Sequence, residues 1–331
     1  MRFLILCSLL FPLAAGPLAR AVSTRVEPRL ATWLLTGAAL LLAGTSCGAL
    51  GLLVLSPLVR MPWLARLGDW SSSIVAGAGL PGGWTSLVAA AALGAALLAA
   101  VAFVIRRARA LADVRRHARS LPGRGELIVT GDVAANAYAV PGRPGRIVVS
   151  TGMLDVLDDR GRTALLAHER AHLSGRHHWF TSVARFAASA NPLVRPLASA
   201  VDYTVERWAD ESAAATVGDR QLVARAIANA ALAAKATRAA QARAGAFGAV
   251  GPALWNTASA RWLFIRGRGP LAKAGPVPRR VAALLAPALT PRRGLPALAA
   301  SLIVLGAAAL CAILAADHLQ DLISFAHASV D

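Results

Sequence analysis

The segment His168-Glu-Arg-Ala-His172 places two histidines four residues apart, with a glutamate directly after the first. The chain from Thr163 to Leu173 contains no run of β-branched residues, so we predict that it forms a helix. Residues four apart on a helix project from the same face, one turn from each other. The two imidazoles can therefore bind one tetrahedral metal ion. Glu169 is set off to the side, where its carboxylate can reach a water molecule at the metal without filling a ligand position.

A second predicted helix, from Val201 to Ser212, carries two carboxylates that are also one turn apart, Glu206 and Asp210. A catalytic zinc site has three protein ligands and leaves its fourth position to water. One of these carboxylates can complete such a site, and the other can accept an imidazole N–H and hold that ring in place. We predict that Glu206 is the third ligand of one Zn²⁺ per chain and that Asp210 supports the site. The alternative is a chance pattern on a solvated helix, which the second helix disfavours.

Other ionisable residues near these helices are interpreted as structural. His177 and His178 follow the first helix and could approach the metal site, but they are expected at the helix C-terminus, where positive charge suits the helix dipole. Three histidines are too remote to be ligands: His117, His318 and His327. Three further acidic residues are expected to be solvated charges: Asp202, Glu211 and Asp219.

The three cysteines, Cys7, Cys47 and Cys311, lie far apart within apolar stretches and have no CxxC spacing. They are interpreted as small buried hydrophobic residues. A metal site in this chain must therefore use imidazole and carboxylate ligands.

The composition indicates a membrane protein, since 56% of the 331 residues are hydrophobic and only 16% are charged. A membrane-spanning helix needs about 20 predominantly apolar residues. Residues 3–18 form a short candidate span, although they can also be interpreted as a signal peptide cleaved near Ala19-Arg20-Ala21. Three longer segments have no internal charge: residues 30–59, 84–105 and 295–316.

Arginines predict the orientation of these spans, because positively charged segments beside a span stay in the cytoplasm. A retained first span then places both termini outside. The tail agrees with an external end, since its charged residues are aspartates: Asp317, Asp321 and Asp331. Six arginines follow the span that ends at residue 105: Arg106, Arg107, Arg109, Arg115, Arg116 and Arg119.

The net charge of +18 is compatible with binding to nucleic acid. The arginines, however, crowd beside the apolar segments and are not interleaved with aromatic residues, so no direct nucleic-acid partner is expected. We interpret the arginine cluster as an orientation signal that also contacts anionic lipid.

The middle of the chain has the pattern of a folded domain. Residues 126–130 predict a strand, and residues 136–140 and 146–150 predict a hairpin across a turn rich in proline and glycine. We expect the strand at residues 146–150 to bind an extended substrate as an added strand. A short helix is predicted at residues 153–157, and Asp158 or Asp159 is expected to cap the metal-binding helix.

Residues 136–215 resemble the HtpX-like membrane zinc metallopeptidases and the related BlaR/MecR-type regulatory peptidases, which are gluzincins. The resemblance implies that His168, His172 and Glu206 bind zinc, that Glu169 is the general base and that Asp210 supports the site. Arg170 departs from the small or aliphatic residue that family members often have after the catalytic glutamate. The similar segments occur in family order: Asn136-Ala-Tyr-Ala139, Arg146 to Asp155, Leu165 to His172, Asn191-Pro-Leu-Val194 and Glu206 to Asp210.

The predicted fold is a mainly α integral membrane protein of the cell membrane, with about four transmembrane helices and a small α+β zincin-like metallopeptidase domain. Residues 1–106 are expected to hold three spans, and residues 107–293 to form the cytoplasmic catalytic domain. Residues 294–331 are expected to hold the fourth span and a short external tail, too short for a penicillin-binding module. Within the tail, residues 318–328 predict a separate amphipathic helix on the outer face.

The predicted function is hydrolysis of protein or peptide substrates by a membrane-embedded zinc endopeptidase. The sequence leaves two roles open: cleavage of a transcriptional repressor, or removal of damaged membrane proteins. An alternative is a non-hydrolytic zinc-binding regulator that docks partner proteins, which the presence of Glu169 disfavours. A transporter is disfavoured because the three long spans have no interior charge.

Overall fold

A computed structural model of the chain describes residues 2–67, 71, 83–121, 125–243, 275–287 and 291–328. Most of the predicted outer loop between residues 68 and 82 lies outside the described residues. The N-terminal part is helical, in the order α1 (Arg2–Leu10), a 3₁₀ helix (Phe11–Ala14), α2 (Ala15–Arg25), α3 (Pro28–Leu58), α4 (Pro62–Leu67) and α5 (Trp84–Ser120).

The central part begins with three strands, β1 (Leu127–Thr130), β2 (Ala137–Val140) and β3 (Arg146–Ser150). Helices follow, in the order α6 (Thr151–Val156), α7 (Asp159–Ser174), α8 (His177–Ala190), a 3₁₀ helix (Pro192–Val194), α9 (Arg195–Val217), α10 (Arg220–Arg243), α11 (Pro276–Leu285) and α12 (Pro291–Ala328).

Four helical stretches are long and apolar enough to cross a membrane, which confirms the predicted mainly α fold with about four spans. They are Phe3–Arg25, Pro28–Leu58, Trp84–Ser120 and Gly294–Ala328. The first is interrupted at Pro12, which lacks the N–H of a regular helix and lies in the 3₁₀ segment. Helix α5 continues through residue 120, so the proposed domain boundary at residue 106 falls within one helix. The division into domains stays a prediction.

The tail does not form a separate helix, so that prediction was wrong. Helix α12 runs without a break to Ala328, and Leu319 packs with Val59, the residue directly after α3. Leu322 and Ile323 join the same cluster. The apolar residues of this segment are therefore used against a neighbouring helix, although Phe325 stays 66% exposed.

The three strands form one sheet in the order β1-β3-β2, in which β1 is parallel and β2 antiparallel to β3. The predicted hairpin is confirmed. Strand β3 is paired on both sides, so the expectation that it binds substrate as an added strand was wrong. The neighbour of the metal-binding helix is β2, an edge strand of the described sheet.

Helices α8 and α9 form a hairpin that packs against the apolar helix α3. Leu197 and Val201 of α9 share one buried core with Leu35 and Leu42 of α3. The hydroxyl groups of Thr32 and Thr204 are hydrogen bonded at 3.0 Å within this contact. The helix that carries Glu206 therefore starts in a core shared with a candidate membrane span.

Candidate metal centre

Helix α7 begins at its predicted cap, because the Asp158 carboxylate accepts a hydrogen bond from the Gly161 N–H at 2.7 Å. The alanines of α7 let the helix pack closely, and His168 and Glu169 are both buried. The Nε2 atoms of His168 and His172 lie 3.1 Å apart. The helix thus turns two imidazole nitrogens towards one point, as the four-residue spacing predicts.

Glu206 on α9 lies at the same point. Its carboxylate oxygens are 3.8 Å from the His168 Nε2 and 3.6 Å from the His172 Nε2. Ligands at about 2.0–2.2 Å from a tetrahedral zinc ion are separated by roughly 3.3–3.6 Å. The three side chains therefore fit a zinc ion, and their ligand atoms all lie within 4.8 Å of one another. Their roles as ligands stay a prediction.

The outer nitrogens of both rings lie close to polar atoms of other side chains. The His168 Nδ1 lies 3.0 Å from the Asp210 Oδ1, the contact expected of a supporting carboxylate. The His172 Nδ1 lies 3.0 Å from the Nδ1 of His177. These contacts leave both Nε2 atoms facing the centre.

The prediction that His177 is a cation at the end of a helix was wrong. Its side chain is 1% exposed, and burial followed by the nearby His172 lowers its pKa to about 3. His177 is therefore a neutral neighbour of a predicted ligand. Helical spacing along α7 gives no signal for this contact, because the chain turns at Gly175 and Arg176 before His177.

Arg280 was missed by sequence reasoning. Its Nη1 lies 2.7 Å from the Glu206 Oε2, and its Nε and Nη2 donate to the two Asp210 oxygens at 2.8 and 2.6 Å. The guanidinium therefore joins both carboxylates of α9. The only local signal is a pair of arginines after a proline-rich helix start, which does not point to a site 70 residues earlier.

Burial and charge set the protonation of the centre. Burial lowers the pKa of His168, but the Asp210 carboxylate outweighs burial and raises it. The pKa of His172 is lowered by burial and then by the charges of His168 and Arg280. Burial raises the pKa of Glu169, although the Ala139 N–H bonds to its carboxylate. Glu169 is thus a carboxylate whose affinity for a proton is increased.

The acidic residues expected to be solvated have other roles. The Asp202 side chain is only 11% exposed, and its carboxylate lies 3.0 Å from the Arg185 Nη2, so the expectation was wrong for this residue. Glu211 is ion-paired with Arg207 and Arg220. Asp219 accepts a hydrogen bond from the Leu222 N–H at 2.9 Å at the start of α10.

Two cavities flank the centre. One, of about 240 Å³, lies between α7, α9, α10 and α11 and is lined mainly by small apolar side chains. The other, of about 160 Å³, is lined by Glu169, His172 and Glu206 and extends along β2 to Pro141 and His178. The centre is therefore open to solvent on both sides of Glu169.

Comparison with known proteins agrees with this chemistry. The family model of peptidase family M48 matches residues 104–288, more than half of the chain. No curated protein and no solved structure matches the chain. The match includes both helices of the metal centre and Arg280, and it confirms the resemblance found in the sequence. The chain belongs to peptidase family M48, a family of zinc metallopeptidases.

Proposed function

We propose that this protein is a membrane-embedded zinc endopeptidase in which His168, His172 and Glu206 hold the metal and Glu169 is the general base. The observation that carries the proposal is the convergence of two Nε2 atoms and one carboxylate beside a buried glutamate. A site that only binds metal has no need of that glutamate.

A zinc ion at this site would lower the pKa of a water molecule towards about 7 and polarise the scissile carbonyl. Glu169 takes a proton from the attacking water and transfers it to the leaving amine. Its raised pKa suits this double role, because the protonated form is then accessible after the first transfer. The Ala139 N–H holds the carboxylate against β2.

Three residues hold the proposed ligands in position. The Asp210 carboxylate lies 3.0 Å from the Nδ1 of His168, where it can orient the ring so that its Nε2 is directed at the metal position. His177 does the same for His172 through the Nδ1 contact. Arg280 balances the negative charge of Glu206 and Asp210 and fixes their spacing along α9.

The free edge of β2 is the proposed binding site for the substrate backbone. The Ser150 N–H donates to the Asn136 carbonyl at 2.9 Å, so Asn136 forms a hydrogen-bonded pair with β3. Pairs alternate along an antiparallel ladder, which places the backbone groups of Ala137 and Ala139 on the outer edge, where the Ala139 N–H already bonds to Glu169 and the other groups face outward. An extended peptide added there passes directly over Glu169.

The location of the centre suggests which proteins it cleaves. Helix α9 shares its core with α3, and the guanidinium of Arg29, at the start of α3, lies 5.6 Å from the Trp208 ring. We propose that the domain faces the cytoplasm of a cell membrane and cleaves segments close to that membrane. Damaged membrane proteins supply such segments, and so does a repressor that docks at the membrane.

The test uses the full-length protein in lipid nanodiscs, supplied with zinc and a pool of unfolded peptides read by mass spectrometry. Glu169→Gln should lower the cleavage rate by about 10²–10⁴-fold, because it removes the proton acceptor. Metal analysis should still find one zinc ion per chain in this variant. Asp155→Asn, an exposed carboxylate change on α6, is the control and should cleave normally.

Two outcomes would contradict the proposal. Unchanged cleavage in Glu169→Gln would exclude that residue as the base. A wild-type protein that holds zinc but cleaves no peptide would favour the non-hydrolytic regulator.

A further inference from the structure

A further, wide cavity lies on the other face of helix α7. It has a volume of about 1400 Å³ and is enclosed by the end of α5, the β2–β3 turn, α7 and the α7–α8 turn. Among the described residues that line it, Glu126 alone is acidic, and its carboxylate lies 3.5 Å from Arg170. Six arginines line this cavity, which we name the arginine cleft: Arg115, Arg119, Arg143, Arg146, Arg170 and Arg176.

Two of these arginines also build the cleft. The Arg115 Nε donates to the Pro141 carbonyl at 2.9 Å, and the Arg146 Nη1 donates to the Ala118 carbonyl at 2.7 Å. These bonds tie the end of α5 to the hairpin and leave both positive charges in the cleft. Backbone carbonyls carry no net charge, so the repulsion among the arginines is not neutralised.

The other four arginines are exposed: Arg119, Arg143, Arg170 and Arg176. Among the described residues, an ion pair is seen for one of these four, Arg170 with Glu126. A cleft with walls of one charge concentrates the field inside it and attracts ligands of the opposite charge. The walls thus select an anionic partner.

Arg176 is held at a conformational cost. It has a φ of +49°, in the left-handed region that favours glycine or asparagine. It is the residue before α8, where its side chain makes no capping hydrogen bond. An arginine with this backbone conformation destabilises the folded protein by about 1 kcal/mol or more. We therefore expect its side chain to have a functional role in the cleft.

The arginine cleft is continuous with the catalytic centre. Pro141, Leu173 and His178 line both the cleft and the cavity that contains Glu169. Strand β2 runs from Ala139, beside Glu169, to the cleft wall at Pro141. A peptide bound along β2 advances about 3.3 Å per residue and therefore reaches the arginines within about three to six residues of the scissile bond.

A lipid headgroup fits this cleft less well than a peptide. Arg115 lies ten residues beyond Ile105, where the apolar run of α5 ends, which is about 15 Å along the helix axis. Arg119 is about 6 Å further. The headgroup region adds only about 5–8 Å to each side of the hydrocarbon core, so the cleft lies beyond it when α5 crosses the membrane upright.

We propose that the arginine cleft is an exosite that binds an acidic segment of the protein substrate, three to six residues from the scissile bond. This inference rests on the proposed peptidase function and specifies its substrates. They carry a cluster of Asp or Glu near an extended, membrane-proximal cleavage site.

The test compares two peptides that share one cleavable apolar core and differ only in their flanks. One peptide has three glutamates on each side, three to six residues from the scissile bond, and the other has three glutamines at the same positions. Full-length protein in uncharged phosphatidylcholine nanodiscs at low salt should cleave the glutamate peptide with about tenfold higher kcat/KM, mainly through a lower KM. Added salt should reduce the preference.

The variant Arg119→Gln/Arg143→Gln/Arg176→Gln should bring the ratio of kcat/KM for the two peptides to about one. Arg116→Gln is the matched control, because Arg116 lies on the same turn of α5 but outside the cleft, and it should keep the preference. If the triple variant does not fold, Arg143→Glu on the exposed turn gives the same test. That variant lowers the formal charge of the cleft by two and should reduce the preference for the glutamate peptide.

Binding to the Glu169→Gln variant, measured by fluorescence anisotropy, separates this proposal from the peptidase function. Arginine-dependent binding of the glutamate peptide without wild-type cleavage would support the exosite and contradict the peptidase. Equal cleavage of both peptides would support the peptidase and overturn the exosite. Arginine-dependent binding of a single-stranded oligonucleotide or of phosphatidylglycerol nanodiscs, but not of the glutamate peptide, would also overturn the exosite.

Discussion

The two sides of the metal-binding helix use arginine in opposite ways. On the side of the apolar cavity, Arg280 is nearly buried and paired with Glu206 and Asp210. On the side of the arginine cleft, Arg119, Arg143 and Arg176 are exposed, and among the described residues they form no ion pair. Paired charges fix the position of the proposed catalytic groups, whereas unpaired charges remain able to bind a partner.

The difference follows from what surrounds each side chain. The apolar cavity is lined largely by alanine, valine and isoleucine of α10, so an unpaired charge there would lose its hydration without compensation. The arginine cleft is wide and open to water, so its charges keep most of their hydration. The same residue type therefore contributes to stability on one side and, we propose, to recognition on the other.

Removal of the paired arginine should give the largest effect. Arg280→Met leaves the buried Asp210 carboxylate without its main partner and should destabilise the folded protein by about 3–5 kcal/mol. Thermal unfolding of the full chain in detergent measures this loss. Arg279→Met is the control, because Arg279 lies 4.4 Å from the Tyr203 ring and its removal should cost about 0.5–1 kcal/mol. Similar losses in the two variants would show that Arg280 does not anchor the centre.

The parts of the site that follow from local periodicity could be predicted from the sequence. The spacing of His168 and His172 and that of Glu206 and Asp210 each define one helix face, and the structure brings those faces together. The hairpin could also be predicted from the sequence, because its turn is rich in proline and glycine, which favour turns. Whether a segment forms a helix or a short turn depends on residues that are close together in the chain, so these features can be predicted from the sequence.

Contacts between elements that are far apart in the chain could not be predicted from local sequence patterns. His177 reaches His172 because the chain reverses at Gly175, and Arg280 reaches Asp210 from a helix 70 residues later. The position of β3 in the middle of the sheet depends on its parallel pairing with β1, which no turn signal encodes. Burial of Asp202 likewise depends on Arg185 of another helix.

The apolar cavity should be sensitive to volume rather than to charge. Ala230→Leu adds a branched side chain to its wall and should lower kcat/KM by about tenfold or more for peptides with a bulky apolar residue next to the scissile bond. Peptides with alanine at that position should be affected much less. Asn229→Leu, one residue along α10 and exposed, is the control. An equal decrease for bulky and small peptides would show that the cavity does not bind the substrate side chain.

The arginine side should show a smaller effect that depends on pH. His178 lines the arginine cleft, and burial, followed by the charges of Arg107, Arg115 and Arg176, lowers its pKa to about 4. An unfolded chain binds a proton at this histidine near pH 6.5, whereas the folded chain resists it until about pH 4. The contribution of neutral His178 to the free energy of unfolding is therefore fully present above about pH 6.5 and is lost as the pH falls towards 4.

His178→Gln should remove this dependence. The loss of stability between pH 6.5 and 4.5, on the order of 2 kcal/mol in the wild type, should become smaller in the variant when unfolding of the full chain is followed at each pH. His117→Gln, at an exposed position of α5 outside the cleft, should leave the slope unchanged. An unchanged slope in His178→Gln would mean that His178 does not resist protonation in the folded chain. A decreased slope would show that burial, together with the neighbouring arginine charges, keeps this histidine neutral on the wall of the arginine cleft.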